Sequence, residues 1–220
     1  MDRLKQIRRF ILLFIKILFC NKIKLIIGAE KTTFEGWIPT DIDLLDIRKI
    51  YHWRRLFHLK RIEKIVAEHV FEHLTMEEIR NTLNIISGFM IKNGNLRIAV
   101  PDGYHTSKYV IDLTKPNGLE VGADDHKVLL NIDSLSKIVD KKIYIIKPVE
   151  FFNKNGKFFR YKNDIDNGYI KRSSEHYRGR FTSDRNELKK MISSIPEKIR
   201  NDFLKENITY TSLIVDLIKK

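Results

Sequence analysis

LRIAVPDGYH, residues 96–105, decides the fold class when it is read with IVAEHVFEHLTMEEIRNTL, residues 65–83, just before it. The second stretch opens as an apolar strand and runs into an acid–histidine cluster, Glu68, His69, Glu72 and His73. Thr75 followed three residues on by Glu78 is a capping box, and Ile79, Leu83 and Ile86 continue at helical spacing to about Phe89. Asn93-Gly94 predicts a turn, and residues 95–102 a buried strand ending in Pro-Asp-Gly. This is a strand–helix–strand unit in which both strands end in polar groups. In open α/β sheets such groups gather at the carboxyl ends of the strands, where ligands bind.

Working outward, KLIIGAE (24–30) reads as a buried strand ending at Gly28. GWIPTDI (36–42) is a second strand, of edge type because of Pro39, and LLDI (44–47) a short third. The spacing from Gly28 to Asp41 is 13, too short for the usual crossover helix, so on its own this pair reads as a hairpin or irregular pair at least as readily as a nucleotide-binding turn. Residues 48–64 form a strongly basic run, either a solvated face or a flap receiving phosphate or anionic lipid. Residues 103–132 read as polar loop, 134–140 as a helix, 141–152 as a strand and Asn155-Gly156 as a hairpin turn. A helix is expected around 186–195, and 208–220 is the last strand. The late tyrosines and arginine, Tyr161, Tyr169, Tyr177 and Arg178, suit an aromatic-plus-basic surface, without a recognisable RNA-binding module. The alternation predicts one α/β domain, its sheet mostly parallel with an antiparallel last hairpin.

Composition narrows the partners. The 220 residues carry 41 Lys+Arg against 28 Asp+Glu, a net charge of +13 that favours anionic molecules or surfaces. The single cysteine, Cys20, excludes an internal disulfide. Residues 10–20, FILLFIKILFC, follow Arg3, Lys5, Arg8 and Arg9 but are too short to span a bilayer, which takes roughly 20 apolar residues. Residues 1–23 are therefore expected to form a helix outside the sheet. It either lies in an anionic membrane interface through Phe10, Leu13, Phe14, Ile17 and Leu18, or packs on the domain or on a second copy of the chain.

HVFEH (69–73) matches the H-x-x-E-H zinc-hydrolase pattern, in which His69 and His73 share one helical face. Here a strand precedes His69 and the capping box starts the helix after His73, so the pattern straddles a turn. No metal is expected from it.

The order KLIIGAE, EGWIPTDIDLLDI, IVAEHVFEHLTMEEI, KNGNLRIAVPDGYH and finally YTSLIVDLIKK resembles class I S-adenosylmethionine-dependent methyltransferases. It is most similar to a small bacterial group of predicted methyltransferases related to the methyltransferase type 11 family, with a reduced first half. EHVFEHLT followed by NGNLRIAVPDG carries the likeness best; it spans about residues 24–153 and 208–220. The family turn D-x-G-x-G-x-G is represented here by Ile26, Gly28, Glu30 and Thr32, so only its first glycine is kept.

The resemblance implies a Rossmann-like domain over residues 24–220 with a basic insertion at about 153–206, and S-adenosyl-L-methionine as cofactor. Gly28, Ala29 and Glu30 would cradle the methionine half, Asp41 the ribose hydroxyls, and Asp46 the adenine amino group. Glu68 and His69 would face the sulfonium, with His73 on the rim and Asp102 and His105 bordering the acceptor; His69, His73 and His105 are the candidate bases. The implied activity is methyl transfer to an oxygen or nitrogen nucleophile. A cell-surface glycan or its lipid-linked precursor is the acceptor the resemblance suggests, handled on the cytoplasmic side at the inner face of the membrane. Three alternatives stand beside it: a non-catalytic scaffold of the same fold, a zinc hydrolase, and a nucleic-acid methyltransferase.

Overall fold

The computed structural model describes residues 3–30, 32–58, 61–119, 122–162, 164–170 and 212–220. The helix expected at 186–195, Tyr177, Arg178 and most of the late insertion lie outside them. Seven strands form one sheet in the order β2–β1–β3–β4–β7–β5–β6. They are β1 (Ile23–Ile27), β2 (Ile38–Thr40), β3 (Ile62–Glu68), β4 (Met90–Pro101), β5 (Tyr144–Phe152), β6 (Phe158–Arg160) and β7 (Ser212–Lys219). β2, β1, β3 and β4 run parallel, while β7 pairs antiparallel with both β4 and β5, and β6 with β5. The parallel core with an antiparallel end is the predicted α/β sheet.

One face of the sheet packs α1 (Arg3–Leu18), α2 (Ile50–Phe57), α3 (Met76–Phe89) and α5 (Ile132–Ile138) through Leu25, Ile27, Ile65, Leu96, Ile98 and Val215. Thr75 caps α3 as expected: its hydroxyl accepts the Glu78 N–H at 3.2 Å and the Glu78 carboxylate accepts the Thr75 N–H at 2.8 Å. The opposite face carries a smaller apolar cluster, Ile26, Val66, Ala99 and Ile214 under Trp37 and Ile170. β1 and β2 are parallel neighbours although no helix joins them; Phe34 and Trp37, packed edge to face in the connecting segment, cover the sheet there instead. That is the physical form of the reduced first half.

On this second face β4 and β7 bury a charge pair. Arg97, fully buried, lies opposite Asp216 and meets both carboxylate oxygens at 2.7 Å. Its remaining NH2 group donates to the carbonyls of Gly168 (2.6 Å) and Asp164 (2.9 Å). A bidentate guanidinium with its further donors satisfied is what a buried ion pair needs.

Several expectations are corrected. LLDI is not a strand: the Asp41 carbonyl accepts the N–H groups of Leu44 and Leu45, which closes a turn that buries both leucines. Asn93-Gly94 lies within β4, with Asn93 at φ +61° absorbing the irregularity. The polar stretch 103–132 contains α4 (Lys108–Thr114), anchored by buried Val110 and Leu113. The stripe assigned to a membrane is largely the docking face of α1: Leu13 and Ile17 are buried in the main core, and Phe10 lies under the Arg55 guanidinium, 4.1 Å away. The exposed face is Leu4, Ile7, Ile11 and Ile15, with Leu18 of the assigned stripe and Phe19 just past the helix.

Candidate functional site

After β1 the chain goes to β2 on one side and returns to β3 on the other. The carboxyl ends of β1 and β3 therefore flank the switch point of the sheet, the place where open α/β sheets bind ligands. Gly28 ends β1 there at φ +64°, and a Cβ on it would come within 2.5 Å of Val70 Cγ2. Glycine is required twice over, by conformation and by space.

Glu30 repeats the left-handed conformation at φ +47° without being glycine. Two bonds hold it: Ala29 N–H to the Thr40 carbonyl (3.0 Å) and Glu30 N–H to Asp41 Oδ1 (2.8 Å). The structure thus brings Gly28, Ala29, Glu30 and Asp41 together. The other Asp41 oxygen receives no hydrogen bond from a described residue.

β3 ends at Glu68, half-buried, and His69 follows at φ +55°. A bulky residue held in this region is costly and marks a site where the surroundings impose it. The His69 N–H donates to the Ala99 carbonyl of β4 (2.9 Å), and its Nδ1 lies 2.9 Å from Glu72 Oε1. A short 3₁₀ turn, Phe71–His73, separates this bend from α3, so HVFEH does straddle a strand-to-helix turn. His73 sits on that turn, half-buried, with Asp125 Oδ2 3.4 Å from its Nδ1 and the His126 ring 4.8 Å away.

Asp46 is not placed for an adenine amino group. Its buried carboxylate is taken up by Arg48 Nε (2.9 Å), Arg48 Nη2 (3.0 Å) and Lys49 Nζ (3.2 Å). Burial raises its pKa, but these cations and the Arg48 N–H outweigh it and hold the group at about 2. Asp102 is likewise structural in geometry, accepting the N–H groups of Tyr104 (2.9 Å) and Phe152 (2.7 Å) and so tying the end of β4 to β5. Burial pushes its pKa up to about 6 against those two bonds, helped by the charge of Glu150. His105 accepts the Ser107 N–H on Nδ1 (3.0 Å) and packs edge-on against Phe152.

Sequence reasoning missed two groups here. The Arg97–Asp216 pair had a signal, one opposite charge in the middle of each of two apolar strands. His126, a lone histidine in a polar loop, had none.

No protein-family model matches the chain, and no curated protein does. Solved structures do show similarity in shape. A SAM-dependent methyltransferase from Archaeoglobus fulgidus aligns over 98% of this chain and 92% of its own, at 15% identity and a TM-score of 0.46. The YcgJ protein from Bacillus subtilis aligns over 94% and 97%, at 9% identity and 0.40. The cyclopropane synthase MmaA2 from Mycobacterium tuberculosis aligns over 98% and 84%, at 11% identity and 0.43.

Proposed function

We propose that the chain transfers a methyl group from S-adenosylmethionine to an oxygen or nitrogen nucleophile. The observation that carries this is the turn at the switch point: Gly28 closed against Val70, with Glu30 held in the left-handed region by the Asp41 carboxylate. It leaves exposed backbone at the end of β1 for the cofactor, and one Asp41 oxygen for a ribose hydroxyl. The EHVFEHLT motif of the resembled family starts at the end of β3, the strand beside this turn, and NGNLRIAVPDG lies in β4, one strand further on.

The cofactor supplies an activated methyl group, so the protein's work is to align the acceptor and remove its proton. Among the three candidate bases His69 fits best, because the Glu72 carboxylate 2.9 Å from Nδ1 would stabilise the imidazolium that forms. His105 fits less well: with Nδ1 accepting a hydrogen bond, its neutral form carries the proton on Nε2 and has no lone pair to offer. Asp46 has no part in this reading.

The acceptor we propose is a lipid-linked sugar, met at an anionic membrane surface. No helix among the described residues is long and apolar enough to cross a membrane. α1 nevertheless exposes Leu4, Ile7, Ile11, Ile15, Leu18 and Phe19, with Lys5 and Arg8 beside them in solvent. An apolar helix face flanked by cations suits an interface. The test is incubation with methyl-labelled cofactor and a lipid-linked oligosaccharide fraction. Label in the glycolipid supports the acceptor; label only in an aqueous acceptor overturns it.

A further inference from the structure

We propose that Glu72, His73 and His126 form a binding site for a first-row divalent transition ion of the zinc type. One ligand atom from each lies within 4.8 Å of the others, so a single ion can reach all three with modest side-chain adjustment. The site owes nothing to an H-x-x-E-H helix: its third member comes from a loop far along the chain, and His69 is outside it. It does not rest on the methyl-transfer reading.

The chain builds this cluster deliberately at the backbone level. The Glu72 carbonyl accepts the N–H groups of Lys127 (2.8 Å) and Val128 (3.2 Å), which straps the loop after Ala123–Asp125 onto the turn that carries Glu72 and His73. His126 then directs Nδ1 to the Thr114 carbonyl at 2.7 Å. A carbonyl oxygen only accepts, so Nδ1 carries the proton and Nε2 is left with its lone pair. A backbone carbonyl behind a metal-binding imidazole fixes its tautomer and ring orientation in the same way.

Glu72 adds an independent observation. Its side chain is 1% exposed, and no described residue directs a hydrogen bond at either carboxylate oxygen. The group facing it is His69, whose Nδ1 lies 2.9 Å from Oε1 without hydrogen-bond geometry. A buried carboxylate needs a cation, and the two half-buried imidazoles of His73 and His126 stand on the side where an ion would sit. One carboxylate with two imidazoles selects zinc, cobalt or nickel over the oxygen-seeking calcium and magnesium. Three protein ligands leave a coordination position for water or for an oxygen of a bound molecule. Asp125, 3.4 Å from His73 Nδ1, stands at the rim of that position.

The test uses tag-free, chelator-dialysed full-length protein titrated with Co²⁺ alone and followed by ligand-field absorption, with Zn²⁺ calorimetry alongside. One ion per chain is expected. His126→Ala and His73→Ala should each weaken binding by about 10-fold or more, whereas His58→Ala, an exposed histidine at the end of α2, should not change it. Circular dichroism confirms that each variant is folded; His126, on a loop, is the variant least tied to the core. Failure of the wild-type chain to take up a stoichiometric ion would overturn the site. Equal affinity in His126→Ala would overturn the site as assigned.

Discussion

The carboxylate of Asp41 accepts the backbone N–H of Glu30 at 2.8 Å, so the residue just after the edge strand β2 holds the turn after β1. Asp41→Asn keeps a side-chain acceptor for that N–H, whereas Asp41→Ala removes it. Denaturant melts should place the Asn variant near wild type and the Ala variant about 1 kcal/mol lower. Both should bind S-adenosylmethionine at least about 10-fold more weakly, since each loses the ribose-facing charge. Wild-type affinity in both would remove Asp41 from the site.

The Arg97–Asp216 pair supports the same sheet from its other face. Arg97→Met alone strands a buried carboxylate and should cost about 3–5 kcal/mol of stability. Arg97→Met with Asp216→Leu should recover most of that, because both charges leave together and leucine keeps the heavy-atom shape of aspartate. A double-variant loss equal to the sum of the single losses, by urea denaturation, would show that the pair is not coupled.

Much of this was legible in the chain. The Thr75–Glu78 capping box, the apolar run of β4 and the Asn155-Gly156 hairpin are local signals, and each element formed where its residues require. The failures divide between long-range packing and short-range capture. α1 is apolar on two sides, so periodicity identifies a helix but not which side meets the core; packing of Leu13 and Ile17 decides that. LLDI has strand composition, yet the turn begun at Asp41 captures it. In the site, Gly28 and Asp41 followed from strand ends and resemblance. The cations that occupy Asp46 lie only two and three residues on, in a basic run that reads as solvated face.

Asp102 makes stability depend on pH. Its pKa is raised from the ~3.9 of an unfolded chain to about 6 by burial. The folded state therefore binds the proton more tightly, and stability falls as pH rises from about 4 to about 6, then levels off. Asp102→Asn, which cannot titrate, should flatten that part of the profile whatever its offset. An unchanged slope in the variant would assign the titration to another group.

The exposed face of α1 predicts vesicle binding. Full-length protein should float with phosphatidylglycerol liposomes and not with neutral ones, each basic residue near the surface contributing about 1 kcal/mol. Leu4→Ser, Ile11→Ser and Ile15→Ser together should abolish flotation without touching the buried Leu13 and Ile17. If flotation persists, another surface carries it and the membrane role of this face falls; if the substitutions only dissociate a dimer, this face is a contact between copies of the chain.

The most direct test is calorimetric titration of the full-length protein with S-adenosylmethionine, beside Gly28→Ala. The added Cβ would lie within 2.5 Å of Val70 Cγ2 at a φ of +64°, where glycine alone is at ease. Saturable one-to-one binding by wild type, lost or weakened at least about 100-fold in a variant that still melts cooperatively, is the predicted result; a factor of that size is about 2.7 kcal/mol. No binding by wild type at ~1 mM cofactor, or equal affinity in the folded variant, would contradict the placement of the cofactor at the turn after β1.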